Sequence, residues 1–220
     1  MPPNVALSPS TVLDAATALV RRFGEAKTSM VDIGRALGVS HAALYRFFPS
    51  KAAVMDAIAQ HAMQDEEAMA ATWLEAEGPA AERLLGMILD LQRRKRERFA
   101  GDREIHDLYR RILIERPDMI AAYAQRMTML VARLIAQGVE RGEWKVDDIS
   151  LAAGVVRDAV TIFVHPQFVG QAMEANAPAE DQLRATVTTL TRAFEAGVEY
   201  GSDLSNSRRS QASNEAERKG

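Results

Sequence analysis

The chain has 220 residues, 47% of them apolar and 26% charged, which is the make-up of a globular protein with room for one large core or two small ones. It contains no cysteine, which excludes a disulfide framework and thiol chemistry and suits a reducing compartment. The formal charge of −3 is uneven: residues 1–51 hold six lysines and arginines against three acidic residues, which leaves +3 on that end and −6 on the remainder, as expected of a protein that docks on a polyanion through one end.

In chain order, Ser8-Pro9 opens a first helix, with Ser8 as cap and Pro9 at the first helical position. Val12, Ala15, Ala16, Leu19 and Val20 form its apolar stripe, and Gly24 ends it. The next stretch, Thr28 to Lys51, reads as two short helices joined by a tight turn. Ser29 caps the first of them, and Asp32 returns a bond to the Ser29 amide. Ile33, Ala36 and Leu37 give an apolar face, Gly38 supplies the left-handed stop, and Ser40 caps the following helix. In that helix, expected over Ser40 to Phe48, Leu44 and Phe48 stand four apart and pack inward, leaving His41, Ala42, Tyr45 and Arg46 to meet a partner. Pro49 ends it and Ser50 caps a third helix, whose first turn contains Lys51. A lysine there opposes the helix dipole, a mismatch that makes sense beside a phosphate.

A glycine-punctuated helix pair is common in helical proteins, but the full combination is more specific. Thr28-Ser29, Ala36-Leu37-Gly38-Val39-Ser40, Leu44-Tyr45, Phe48 and Ser50-Lys51 together resemble the DNA-binding domain of the tetracycline-repressor (TetR) family, over roughly residues 8 to 60. Beyond that stretch only length and an all-helical layout agree with the family. The resemblance implies a homodimeric regulator, most often a repressor, that reads a palindromic double-stranded operator and answers to a small-molecule effector of unknown identity. Carried onto the motif, Tyr45, Lys51 and Thr28 become phosphate contacts. His41, Ala42, Ala43 and Arg46 become base readers, with Ser40 opening the reading helix, and an arginine such as Arg46 suits a bidentate contact to guanine. Two positions depart from the pattern: Glu25 stands where relatives often carry an aromatic, and Phe47 where histidine or tyrosine is frequent, which leaves out a polar contact to the DNA backbone.

The helix from Lys51 to about Leu74 carries Val54, Met55, Ile58, Ala62, Met69 and Trp73, with Asp65, Glu66 and Glu67 on its polar face, and links the basic end mechanically to the rest. Gly78-Pro79 breaks it. Four or five more helices are predicted. Pro79 to about Ala100 bears Leu84, Leu85, Ile88 and Leu89, then the run Arg93-Arg94-Lys95-Arg96-Glu97-Arg98, either a second nucleic-acid contact or, more commonly, a solvated helix end. Asp102 to Glu115 and Pro117 to about Arg141 follow, and Asp147 caps a helix to about Val164 that is apolar on most sides and so needs more than its own subunit to bury it. The last helix runs from near Pro178 to Tyr200. These elements give an all-α fold: a helix-turn-helix domain over 1–50, linked by helix 51–74 to a ligand-binding and dimerisation domain over 51–200, and a disordered polar tail over 201–220.

As in the family, the last two core helices are expected to pair two subunits, through Ala152, Val155, Val156, Ala159, Phe163, Val187, Leu190 and Phe194. Arg157-Asp158 either pairs across that contact or points into a pocket. Trp73, Met87, Tyr109, Tyr123, Met127 and Phe163 are candidate pocket residues, although such residues at helical spacing more often form plain core. His61 with Asp65 and Asp102 with His106 each offer two metal ligands and no identifiable third, so no metal or other cofactor is expected. No phosphate loop, nucleophile elbow or His-Glu-x-x-His run supports catalysis. No apolar run spans a bilayer and no export signal opens the chain, so a cytoplasmic protein without membrane association is expected. Two rivals remain: a helical small-molecule-binding or adaptor protein without DNA function, and an enzyme on a helical scaffold.

Overall fold

The computed structural model describes residues 7–200; the polar tail, 201–220, lies outside the described residues. Ten helices are found among them: α1 (Pro9–Phe23), α2 (Met30–Leu37), α3 (His41–Leu44), α4 (Lys51–Glu75), α5 (Ala80–Gly101), α6 (Arg103–Glu115), α7 (Pro117–Glu140), α8 (Ile149–Val164), α9 (Pro166–Glu174) and α10 (Ala179–Ala196). Six helices therefore follow the link helix α4, not four or five. The unexpected one is α9, which Pro166 starts at its first position and which buries Val169 and Gly170.

The caps explain most boundaries. Ser8 accepts from the Thr11 amide while the Thr11 hydroxyl returns to Ser8, and Ser29 and Asp32 make the same reciprocal pair at α2. Gly38 ends α2 in the left-handed region (φ 70°, ψ 24°). At α8 the cap is Asp148, whose carboxylate accepts from the Leu151 amide at 2.8 Å, rather than Asp147, which accepts from the Tyr200 amide. The amino end of α5 has no cap of its own because Pro79 lacks a side-chain acceptor; the Glu143 carboxylate reaches across from the α7–α8 turn to take the Ala80 amide.

Two hydrophobic clusters organise the chain. The first gathers Val12, Ala16 and Val20 of α1, Ile33 of α2, Leu44 and Phe48 around α3, and Val54 and Met55 of α4, and closes them with Ile105, Leu108 and Ile112 of α6. The second packs α5, α7, α8 and α10 around Leu84, Met87, Leu134, Ile135, Val156, Val187 and Phe194. Trp144 lies in it over Gly138, where a Cβ would come within 2.5 Å of the indole, and meets Phe194 edge-on at 5.4 Å. No single described helix is long and apolar enough to cross a membrane.

The second cluster takes up five of the residues expected at a partner surface. Ala152, Val156, Phe163, Val187 and Phe194 are all buried within their own subunit. Of the other apolar groups on α8 and α10, Ile162 is 55% exposed, Val155 and Ala159 are half-buried, and Leu190 is half-buried at the edge of the second cluster.

Candidate nucleic-acid interface and cavity

The helix-turn-helix is held by its small residues. Gly34 of α2 faces the turn so closely that a Cβ would stand 2.9 Å from the Val39 carbonyl oxygen and 3.1 Å from the His41 amide. α3 is shorter than the expected Ser40 to Phe48. It ends at Leu44, after which the Phe47 and Phe48 amides both donate to the Leu44 carbonyl. Pro49 has no N–H to continue the ladder and disfavours helical backbone at Phe48. Ser40 occupies the cap position, but its side chain makes no capping bond.

Leu44 and Phe48 anchor α3 in the core, and this leaves Ser40, His41, Ala42, Tyr45 and Arg46 exposed on one surface, with Ala43 half-buried behind them. The His41 and Tyr45 rings meet edge-on at 6.2 Å, and the Arg46 guanidinium lies 5.5 Å from the centre of the Phe47 ring. Two expected phosphate contacts look different. Thr28 is 2% exposed and its hydroxyl donates to the Gly24 carbonyl, while the Asp32 carboxylate, held below its ordinary range first by the Ser29 hydroxyl, closes the amino end of α2 against an anion. Lys51 donates to the Glu25 carbonyl at 2.7 Å, so its ammonium ties α4 to the α1–α2 loop. The amino end of α4, capped by Ser50, remains open to a phosphate.

Gly34→Ala should therefore push α2 and α3 apart. We expect weakened duplex binding with the second cluster still folded, read as a loss of amide protection confined to residues 29–48 in hydrogen exchange. Unchanged protection there would show that the turn tolerates the methyl.

Behind the head, α4, α5, α6, α7 and α8 line a cavity of about 230 Å³ that opens on one side. Of the expected pocket residues it takes Tyr109, Tyr123 and Met127. The other three lie elsewhere. Trp73 stacks over Gly86, where a Cβ would strike the indole, and donates to Asp90 at 3.0 Å; Met87 is fully buried in the second cluster; Phe163 packs inside it too.

At one side of the cavity is a buried ionic cluster. Glu66 of α4, 1% exposed, accepts from Lys95 at 2.5 Å, from Arg98 at 2.9 Å and from the Tyr123 hydroxyl at 2.7 Å. Burial raises the cost of that carboxylate, but Lys95, Arg98 and Tyr123 outweigh it and hold the group below its ordinary value. Burial also pushes Tyr109 up to about 12, and its hydroxyl donates to the Ile58 carbonyl of α4 at 3.3 Å.

The basic run is therefore divided: Lys95 and Arg98 turn inward, while Arg93, Arg94 and Arg96 remain solvated, Arg93 in a surface pair with Asp90. Helical spacing carried the signal, because Leu84, Ile88, Leu91 and Lys95 follow one stripe, as do Ala59, Met63, Glu66 and Ala70.

Ionic contacts bind α6 to the head. Arg111 donates to Glu25 at 2.8 Å, Arg21 to Asp102 at 2.6 Å, and Arg116 just beyond α6 pairs with Asp56 of α4. Glu25, which departs from the family pattern, thus fastens the head to α6. Arg157 pairs with Asp158 on the surface of α8 at 2.8 Å while also lining the cavity. Among the described residues no metal-binding group of three ligands forms; Asp102 serves Arg21, and His106 packs edge-on to Phe99.

Two family models match the chain: bacterial regulatory proteins, tetR family, over residues 12–58, and tetracyclin repressor-like, C-terminal domain, over residues 80–187. No curated protein matches it. Among solved structures, SmeT, the repressor of the Stenotrophomonas maltophilia multidrug efflux pump SmeDEF, is 17% identical, with 90% of this chain and 94% of that one covered and a TM-score of 0.61. FadR of Thermus thermophilus, a transcriptional repressor in complex with lauroyl-CoA, is 16% identical over 89% and 98% of the two chains, with a TM-score of 0.61. A protein of unknown function from Rhodococcus sp. RHA1 is 22% identical over 89% and 100%, with a TM-score of 0.66. At these identities the likeness is one of fold.

Proposed function

Since the chain belongs to the TetR family of transcriptional regulators, we propose that it is a repressor that binds an inverted-repeat operator as a homodimer and releases it when a small molecule fills the cavity between α4 and α8. The observation that carries the reading is the exposed set Ser40, His41, Ala42, Tyr45 and Arg46 on a short helix fixed from behind by Leu44 and Phe48. A rigid helix with polar tips suits the major groove, with Arg46 directed at a guanine and Tyr45 at the backbone. The amides at the start of α4 supply a second phosphate contact. Ala42 and Ala43 leave room for close approach.

Two heads need a fixed spacing, and the partly exposed apolar groups Val155, Ala159, Ile162 and Leu190 support pairing through α8 and α10. α4 and α6 belong both to the head and to the cavity, and this supports coupling through them: a ligand that favours one arrangement of these helices shifts the heads by its difference in affinity, and a response of 5–150-fold needs about 1–3 kcal/mol. The volume of about 230 Å³ supports a compact effector.

The test is selection of bound duplexes from a randomised pool, followed by affinity measurements on the enriched sequence. An enriched inverted repeat, bound about tenfold or more weakly by Arg46→Ala, is the expected result. A pool with no enrichment would favour the adaptor or ligand-carrier alternative.

A further inference from the structure

The ionic cluster and the cavity say more about the effector than the family does. An engineered cavity of roughly 150 Å³ holds benzene; in proportion, about 230 Å³ takes a single substituted ring or a short chain of roughly nine heavy atoms. Ile88, Leu91, Met127, Val131, Val156 and Val160 line most of it and suit such an apolar body.

The polar side is limited. Tyr109, Tyr123, Thr128 and Thr161 all donate their hydroxyls to protein acceptors. Lys95 has three N–H groups and spends one on Glu66; no second acceptor takes it among the described residues. His165, which lines the same cavity, has its Nδ1 buried without a hydrogen-bond partner. The cluster is also unbalanced, since one carboxylate, Glu66, faces two cations, Lys95 and Arg98.

Resting on the regulator reading above, the geometry points to a small monocarboxylic acid, aromatic or short-chain, as the ligand, its carboxylate seated on Lys95 and His165 and its apolar body between α5, α7 and α8. The acid neutralises the surplus charge and supplies acceptors to the unspent Lys95 donors. It also competes with Glu66 for the same ammonium. Because Glu66 stands on α4, whose amino end is part of the head, that competition bears on the helix that sets the head's position.

Calorimetric titration of the free, full-length protein tests this with benzoate and hexanoate against their neutral counterparts benzamide and hexanamide, and with palmitate as a size control. The acids should bind about tenfold or more tightly than the amides, the scale of one charge-assisted hydrogen bond, and palmitate should not bind. Lys95→Met should abolish the preference for acid over amide. Glu66→Gln should strengthen acid binding by removing the competitor, whereas a merely structural Glu66 predicts weaker binding. If Lys95→Met alone does not fold, Glu66→Gln/Lys95→Met, which removes one charge of each sign, gives the same comparison.

Amides that bind as well as acids, an undiminished preference in Lys95→Met, or no binding of either acid overturns the inference. Duplex binding by the same preparation without acid separates the two readings. A protein that binds its duplex but neither acid defeats the ligand assignment alone, and one that binds acid but no duplex supports the assignment and defeats the regulator.

Discussion

Glu66→Ala should lower the unfolding free energy by about 3–5 kcal/mol, the usual consequence of removing one partner from a buried ion pair and leaving the other uncompensated. Lys95 and Arg98 are 9% and 12% exposed at the side chain, so little bulk water reaches the two cations once the carboxylate is gone. Against a total of roughly 5–15 kcal/mol for an ordinary domain this is a large fraction. Equilibrium denaturation of the two proteins measures it, and a difference within about 1 kcal/mol would mean that the cluster is solvated.

The isosteric Glu66→Gln adds a pH signature. A carboxyl whose folded value is depressed contributes stability that is complete above its ordinary value and is lost as the pH falls through the depressed one. The stability gap between wild type and Glu66→Gln should accordingly be full at neutral pH and close in acid, below the ordinary glutamate range, because a protonated Glu66 resembles glutamine. A gap independent of pH would contradict the assigned charge.

The second large effect separates the inner from the outer face of α8. Ala152 is fully buried in the second cluster and away from the cavity, so Ala152→Glu overpacks the core and places a carboxylate in it, on the order of 5 kcal/mol together, and the chain should unfold. Val155 is half-buried and outside that cluster, and Val155→Glu should leave a folded monomer. Sedimentation combined with circular dichroism distinguishes the outcomes. A folded dimer from Val155→Glu would move the interface off this face, and a folded protein from Ala152→Glu would contradict the packing of the second cluster.

What the sequence made legible was local. Ser8 with Thr11, Ser29 with Asp32, Gly38 and Ser50 act within a turn of their own position, so cap chemistry placed the starts of α1, α2 and α4. The hidden features depend on what a distant segment supplies. The charges of Lys95 and Glu66 point to a solvated face, although the stripes through Leu91 and Met63 lead straight to them. Trp73 reads as a pocket residue from its type and spacing, whereas its indole lies over Gly86 of α5 and donates to Asp90. Thr28 matched the family motif, yet its hydroxyl is taken by Gly24. Helix α9 carries Phe168, Val169, Ala172 and Met173 but buries only Val169 of these, and it docks on the body through Val169 and Gly170, with Gly170 close against the Phe99 ring.

The most direct test of the reading head is chemical interference on the selected duplex. Hydroxyl-radical footprinting should show two patches of protected backbone on one side of the DNA, separated by about one helical turn or a multiple of it. Methylation of a guanine N7 in each half-site should block wild-type binding and cease to matter for Arg46→Ala. A single protected patch, or guanine interference that persists unchanged in Arg46→Ala, would contradict the account of a paired head that reads the groove through α3.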